Sequence, residues 1–155
     1  LMLMWVCDLI IAADDASFQD LTVSHGVNGV EWFSHPWELG IRKAKELLFT
    51  GDAIDAEEAH RLGMVNHVVP RDELRDFTLA MAGRIADKPG FALKLAKLAV
   101  NQTLDAQGFQ IAQQQAFGLQ HVGHAHTRGE HMRETGTDIF AGDDRGPRPF
   151  TEPHD

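Results

Sequence analysis

Cys7-Asp8-Leu9-Ile10-Ile11-Ala12-Ala13-Asp14-Asp15-Ala16-Ser17-Phe18 sets five consecutive apolar residues, Leu9 to Ala13, between acidic turn formers. A run that short, with a β-branched pair at its heart, predicts a buried strand over Leu9–Ala13 rather than a helix, because a helix needs roughly ten residues to bury a face. Asp14-Asp15 then turns the chain into a short extension, Ala16-Ser17-Phe18. Upstream, Leu1 to Cys7 is an unbroken apolar run. It falls well short of the roughly 20 residues that span a bilayer, and Asp8 keeps it from joining the next run. No basic region precedes it and no small-residue cleavage site follows, which argues against a secretory signal. An apolar run this early predicts that the chain begins in mid-domain, with its natural upstream part missing.

Downstream, residues 20–36 show no period and are punctuated by Gly26, Asn28, Gly29 and Pro36. A loop of roughly 15 residues inside a domain is usually functional or mobile. Helical spacing of Ile41, Ala44, Leu47 and Leu48 predicts a helix over Trp37–Phe49 that stops at Gly51. Asp55 is placed to cap a second helix through Leu62, with Glu58 three residues on and Gly63 at the end. Met64–Val69 reads as a strand closed by Pro70. Helices are then predicted over Arg71–Ala86, Pro89–Leu104 and Gln107–His121, with an irregular tail after Gly136. The chain thus divides into an α/β part over 1–70, a helical part over 71–136 and a tail over 137–155.

The whole chain of 155 residues is about one domain long. Fourteen basic against 23 acidic residues give a formal net charge of −9, which excludes a nucleic-acid or anionic-membrane partner of the kind that needs a basic face. Forty-three per cent hydrophobic residues are enough for a packed core. The single cysteine, Cys7, cannot form an internal disulfide and fits a reducing compartment, the cytoplasm. No base pattern flanks it, so a buried filler is expected.

From Cys7 onward the chain resembles the crotonase family, the enoyl-CoA hydratase/isomerase superfamily. The likeness rests on the Cys7–Phe18 block and on Ala44-Lys45-Glu46-Leu47-Leu48-Phe49-Thr50-Gly51. It continues in Asp55-Ala56-Glu57-Glu58-Ala59-His60-Arg61-Leu62-Gly63-Met64-Val65-Asn66 and in Lys88-Pro89, Ala92 and Lys97. Four blocks in order speak for kinship far more strongly than any one of them. The resemblance implies the end of a spiral of ββα turns, followed by a C-terminal helical region that builds trimers or trimer pairs. It places this chain as the back half of such a protein. It further implies an acyl-CoA thioester as substrate, no cofactor beyond it, and an enolate held by two backbone N–H donors. Both donors would lie before residue 1, one of them on a Gly-rich turn that Leu1–Val6 continues as a helix, so the chain alone is not expected to catalyse.

Hydratases of this family handle water and the α-proton with two glutamates, whose positions fall here on Met2 and Thr22; neither can act as a general acid or base near pH 7. Leu21 stands where the family has a proline. The loop offers Asp20, His25, Glu31 and His35 instead, interleaved with Trp32, Phe33 and Trp37. Relatives with other reactions carry a carboxylate near the position of Glu31, and a wall of Trp32 and Phe33 would favour its protonated form by desolvation. Glu31 is therefore the leading acid/base candidate, ahead of Asp20 and His25, with Trp32 and Phe33 as substrate-binding residues. The plain alternatives are a solvated loop carboxylate for Glu31, a turn or cap role for Asp20 and a turn-packing imidazole for His25.

The cluster His121, His124 and His126 lacks a correctly spaced carboxylate, so no metal is expected. Trp5, Trp32 and Trp37 read as core or interface anchors. The Gln107–Gln120 helix reads either as an oligomer face or as a cover helix. In the family the C-terminal helices often help hold the CoA phosphates with lysines; here Arg128, Arg133 and Arg145 are present, but that lysine-rich stretch is not. The expected activity is hydration or double-bond isomerisation, a lyase or isomerase reaction; a non-catalytic oligomerisation or acyl-CoA-binding protein is the alternative.

Overall fold

In the computed structural model residues 1–136 are described. The tail over 137–155, including Arg145, lies outside the described residues. The chain opens with a short helix, α1 (Met2–Trp5), whose Trp5 is buried. The predicted Leu9–Ala13 strand is present over its last three residues as β1 (Ile11–Ala13). It pairs in parallel with β4 (His67–Val69), in the register Ile11 to His67, Ala12 to Val68 and Ala13 to Val69. A parallel pair needs a long crossover, and everything between Asp14 and Asn66 supplies it. Within that crossover β2 (Ser17–Phe18) lies antiparallel to β3 (Ile54–Asp55). Just before the paired residues, the Asn66 side-chain oxygen accepts from the Ile10 backbone N–H at 2.7 Å, and the Asn66 backbone N–H donates to the Ile10 carbonyl at 2.8 Å.

The single helix predicted over Trp37–Phe49 is two helices, α2 (His35–Leu39) and α3 (Ile41–Thr50). Gly40, at φ 74° and ψ 156°, breaks them apart, a backbone conformation that L-residues avoid. The break lets Leu39 and Ala44, Leu47 and Leu48 all point into the core. Asp55 caps α4 (Ala56–Leu62) as expected, its Oδ1 accepting from the Glu58 amide at 2.8 Å. Glu58 does not reach back to complete the box; its carboxylate accepts from Arg61 Nε and Nη2, at 2.6 and 2.8 Å. The core gathers Trp5, Ala12, Leu39, Ala44, Leu47, Ile54, Ala56, Ala59, Met64 and Val65.

Three helices follow: α5 (Leu74–Ala86), α6 (Gly90–Ala106) and α7 (Phe109–Thr135). The first two bury no residue, and Phe91 of α6 is 74% exposed. Lys97 of α6 reaches back to Asp8 at 2.6 Å, and Arg71 to Asp15 at 2.6 Å. Helix α7 runs well past the His121 end that the sequence suggests. Gly118, Gly123 and Gly129 do not stop it, although each glycine costs a helix about 1 kcal/mol. Its docking on the 20–35 loop offsets that cost, and at Gly123 the docking needs the missing side chain. A Cβ there would stand 2.7 Å from the Gly26 carbonyl oxygen. Cys7 is exposed rather than buried, because it sits just past the end of α1 with its thiol turned back toward the Leu3 carbonyl. Among the described residues no helix is long and apolar enough to cross a membrane.

Candidate active site

The loop between β2 and α2 is organised around one carboxylate. Asp20 is 3% exposed and its two oxygens meet four donors. Oδ1 accepts from the Thr22 amide at 2.9 Å and the Thr22 hydroxyl at 2.6 Å. Oδ2 accepts from the Val30 amide at 3.3 Å and from His35 Nε2 at 2.8 Å. Burial by itself would push this carboxyl up; the His35 and Thr22 hydrogen bonds outweigh it and hold the group well below the usual carboxylate range. His35, fully buried, lies between the Trp5 ring at 4.6 Å and the Phe33 ring at 4.7 Å. Gly29 makes room for these rings: at φ 149° it favours glycine, and a Cβ would stand 2.7 Å from the Phe33 ring and 3.3 Å from His35.

Helix α7 holds the other side of the loop. The Gln113 side-chain amide meets the Phe33 backbone twice, accepting from its N–H at 2.8 Å and donating to its carbonyl at 2.9 Å. The Asn28 amide donates to the Ala116 carbonyl at 3.2 Å. Trp32 and Trp37 both pack edge-on against Phe109, at 5.6 and 4.9 Å. Just beyond, Glu38 is raised above its ordinary range by burial, with the Ser34 side chain working against that rise.

Between α1, the loop and α7 lies an open groove of about 530 Å³, lined by Met2, Leu3, Val6, Glu31, Trp32, Gln113, Gln114 and Phe117. Its walls are apolar, and Glu31 is the ionisable group among those lining residues. Of the sequence candidates, Glu31 and Trp32 therefore share the groove, and Met2 stands opposite them. Phe33 turns away from it toward His35 and Gly29. Glu31 is exposed, so the two-sided desolvating wall expected of Trp32 and Phe33 is one-sided. Asp20 lies beneath the loop, bonded as above. His25 ends a 3-10 turn, Val23–His25, where its Nδ1–H donates to the Leu21 carbonyl at 2.7 Å, and it does not line the groove.

Two residues of this constellation carry no role in the sequence reading. His35 is named there only as one of four ionisable loop residues, and Gln113 only as part of a glutamine-rich helix. Their partners lie 15 and 80 residues away, beyond any local pattern. His121 packs edge-on against Phe117 at 4.5 Å, and His126 pairs with Glu130 at 3.2 Å. Among the described residues no group of three or more His, Cys, Asp or Glu side chains is placed to hold a metal.

The enoyl-CoA hydratase/isomerase family profile matches residues 1–143. The Mycobacterium tuberculosis protein named "Putative enoyl-CoA hydratase EchA13" is 53% identical over 127 residues, covering 81% of this chain and 40% of that protein. A crotonyl-CoA hydratase of Syntrophomonas wolfei is 38% identical over 119 residues, 73% of this chain and 45% of the relative. The crystal structure of a "probable enoyl-CoA hydratase" from Mycobacterium thermoresistibile superposes with a TM-score of 0.81 at 56% identity, covering 83% of this chain and 54% of that one. The chain thus spans about half the length of the relatives it matches. This chain belongs to the enoyl-CoA hydratase/isomerase family.

Proposed function

We propose that this chain is the C-terminal portion of an enzyme that polarises the thioester of an enoyl-CoA and hydrates or isomerises its double bond, with Glu31 moving the proton. One observation carries the reading: Glu31 lines the same groove as Met2, the position that the resemblance gives to one of the family's two glutamates. An apolar groove with a single ionisable group suits an acyl chain whose reacting carbon must meet one acid/base residue. In the hydration direction the Glu31 carboxylate takes a proton from water as hydroxide adds to the β-carbon. The electron pair of the double bond moves to the thioester oxygen as an enolate, and the proton returns from Glu31 to the α-carbon. The backbone N–H donors for that oxygen belong to the part of the enzyme before residue 1. Trp32 and Phe117 are the walls against which the acyl chain lies.

Asp20 and His25 are left with structural roles, since the loop takes both oxygens of Asp20, and His25, bonded through Nδ1 to the Leu21 carbonyl, does not line the groove. The apolar side chains that α5 and α6 leave exposed, Leu79, Phe91, Leu95 and Val100 among them, suit assembly of the full-length protein into trimers or trimer pairs. The test is hydration of crotonyl-CoA by the protein at its native length, followed by loss of the enoyl-thioester absorbance. Glu31→Gln, with folding intact, is expected to lower turnover about 100-fold or more. Unchanged turnover removes Glu31 from the reaction.

A further inference from the structure

The Asp20–His35 pair does more than close a turn. Its two side chains are among the most buried polar groups described, at 3% and 0% exposure, and their bond is short, 2.8 Å. Through Asp20 the pair reaches the Val30 amide, directly before Glu31. Through the His35 ring it reaches Trp5 of α1, the helix whose Met2 and Leu3, with Val6 just past its end, line the groove together with Glu31. One bonded pair therefore joins the segment carrying Glu31 to the helix facing it. Within the pair, His35 Nε2–H donates to the Asp20 carboxylate, and the buried Nδ1 has no hydrogen-bond partner among the described residues. A lone buried carboxylate met by four donors has no spare lone pair with which to reach a substrate, so it acts on the site only by holding backbone in place.

We propose that the buried Asp20–His35 pair is a positioning element of the groove, setting the distance between the Glu31 segment and α1. The proposal rests on the reading of Glu31 given above. The gap matters because a shift of about 1 Å in a reacting group can cost two orders of magnitude in rate without loss of binding. His35→Leu removes the donor and the ring contact with Trp5, and leaves Oδ2 with the Val30 amide alone. His35→Gln keeps a donor that can reach Asp20. Asp20→Asn preserves size but points its NH2 group at Val30 N–H whenever its oxygen stays with Thr22, so the Val30 amide loses its acceptor.

The test is steady-state hydration of crotonyl-CoA by the protein at native length, in a cycle of His35 and Glu31 variants. His35→Leu is expected to lower kcat roughly 10- to 50-fold with KM within about 2-fold, and His35→Gln to recover most of the loss. In the Glu31→Gln background the same His35→Leu change is expected to cost less than about 2-fold more, because a positioned group that is already gone cannot be misplaced. Should His35→Leu fail to fold, Asp20→Asn supplies the second reading: faster hydrogen exchange at the Val30 amide, with α3 unchanged, and a fall in kcat. Equal losses in both backgrounds, no rescue by glutamine, or an Asp20→Asn protein with unchanged Val30 exchange and turnover would each overturn the positioning role. A Glu31→Gln protein that keeps full activity overturns the Glu31 reading itself, and that single variant separates the two failures.

Discussion

Replacing Gln113 by leucine isolates the grip of α7 on the loop. The two residues have nearly the same volume and nearly the same helix propensity, so α7 itself is little affected. What is lost is the pair of hydrogen bonds to the Phe33 N–H and carbonyl, at 2.8 and 2.9 Å. Each such bond contributes about 0.5–1.5 kcal/mol net. Phe33 is only half-buried, so water can re-solvate part of its freed backbone, and the expected loss is about 1–2 kcal/mol rather than the full desolvation cost of two orphaned groups. In a protein of this size that corresponds to a fall in Tm of roughly 2–8 °C. Urea unfolding followed by tryptophan fluorescence measures it, provided circular dichroism gives the same midpoint. Hydrogen exchange at the Phe33 amide should rise in the same variant while that of α4 stays put. A loss below about 0.3 kcal/mol, with Phe33 exchange unchanged, would refute the clasp as a source of loop order.

Gly123→Ala tests the same interface from its tightest point. Alanine favours a helix by about 1 kcal/mol over glycine, yet the added Cβ would meet the Gly26 carbonyl oxygen at 2.7 Å and Val27 Cα at 3.2 Å, both backbone atoms. Net destabilisation of about 1–3 kcal/mol is expected in urea titration, and a gain in stability would contradict the packing. The pH response of Asp20 has a definite sign. Its folded carboxyl titrates below the ordinary value of 3.8, so the stability it contributes is fully present above that value and is lost as the pH falls through the lower folded one. The stability gap between the unmodified protein and Asp20→Asn should therefore be widest near neutrality and shrink on acidification below about pH 4. A gap that grows on acidification would reverse the assignment.

Local signals in the sequence were enough wherever the structure is local. The apolar run Leu9–Ala13 announces β1, and Asp55 with Glu58 three residues later announces the start of α4, because strand burial and capping are decided within a few residues. The break at Gly40 was hidden: apolar spacing runs straight through it, and only the positive φ of that one residue turns one helix into two. The extent of α7 was hidden for the opposite reason. Its glycines argue for an end, whereas tertiary contact with Gly26 and Val27 makes the smallest residue the fitting one. At the site, the residue types were legible and their partnerships were not. Asp20, Glu31 and His35 all stand out as ionisable residues in an aromatic loop, but only the fold decides that Asp20 and His35 meet underneath while Glu31 faces the groove.

The central claim, that Glu31 exchanges a proton with the α-carbon of a CoA thioester in the groove, is tested most directly by isotope exchange without turnover. Butyryl-CoA, a saturated ester that can be enolised but not hydrated, is incubated in heavy water with the protein at native length, and deuterium at the carbon next to the thioester is read by mass spectrometry. The account predicts steady incorporation that falls about 100-fold or more in Glu31→Gln. Exchange that proceeds equally well in that variant, with its fold intact, would contradict it.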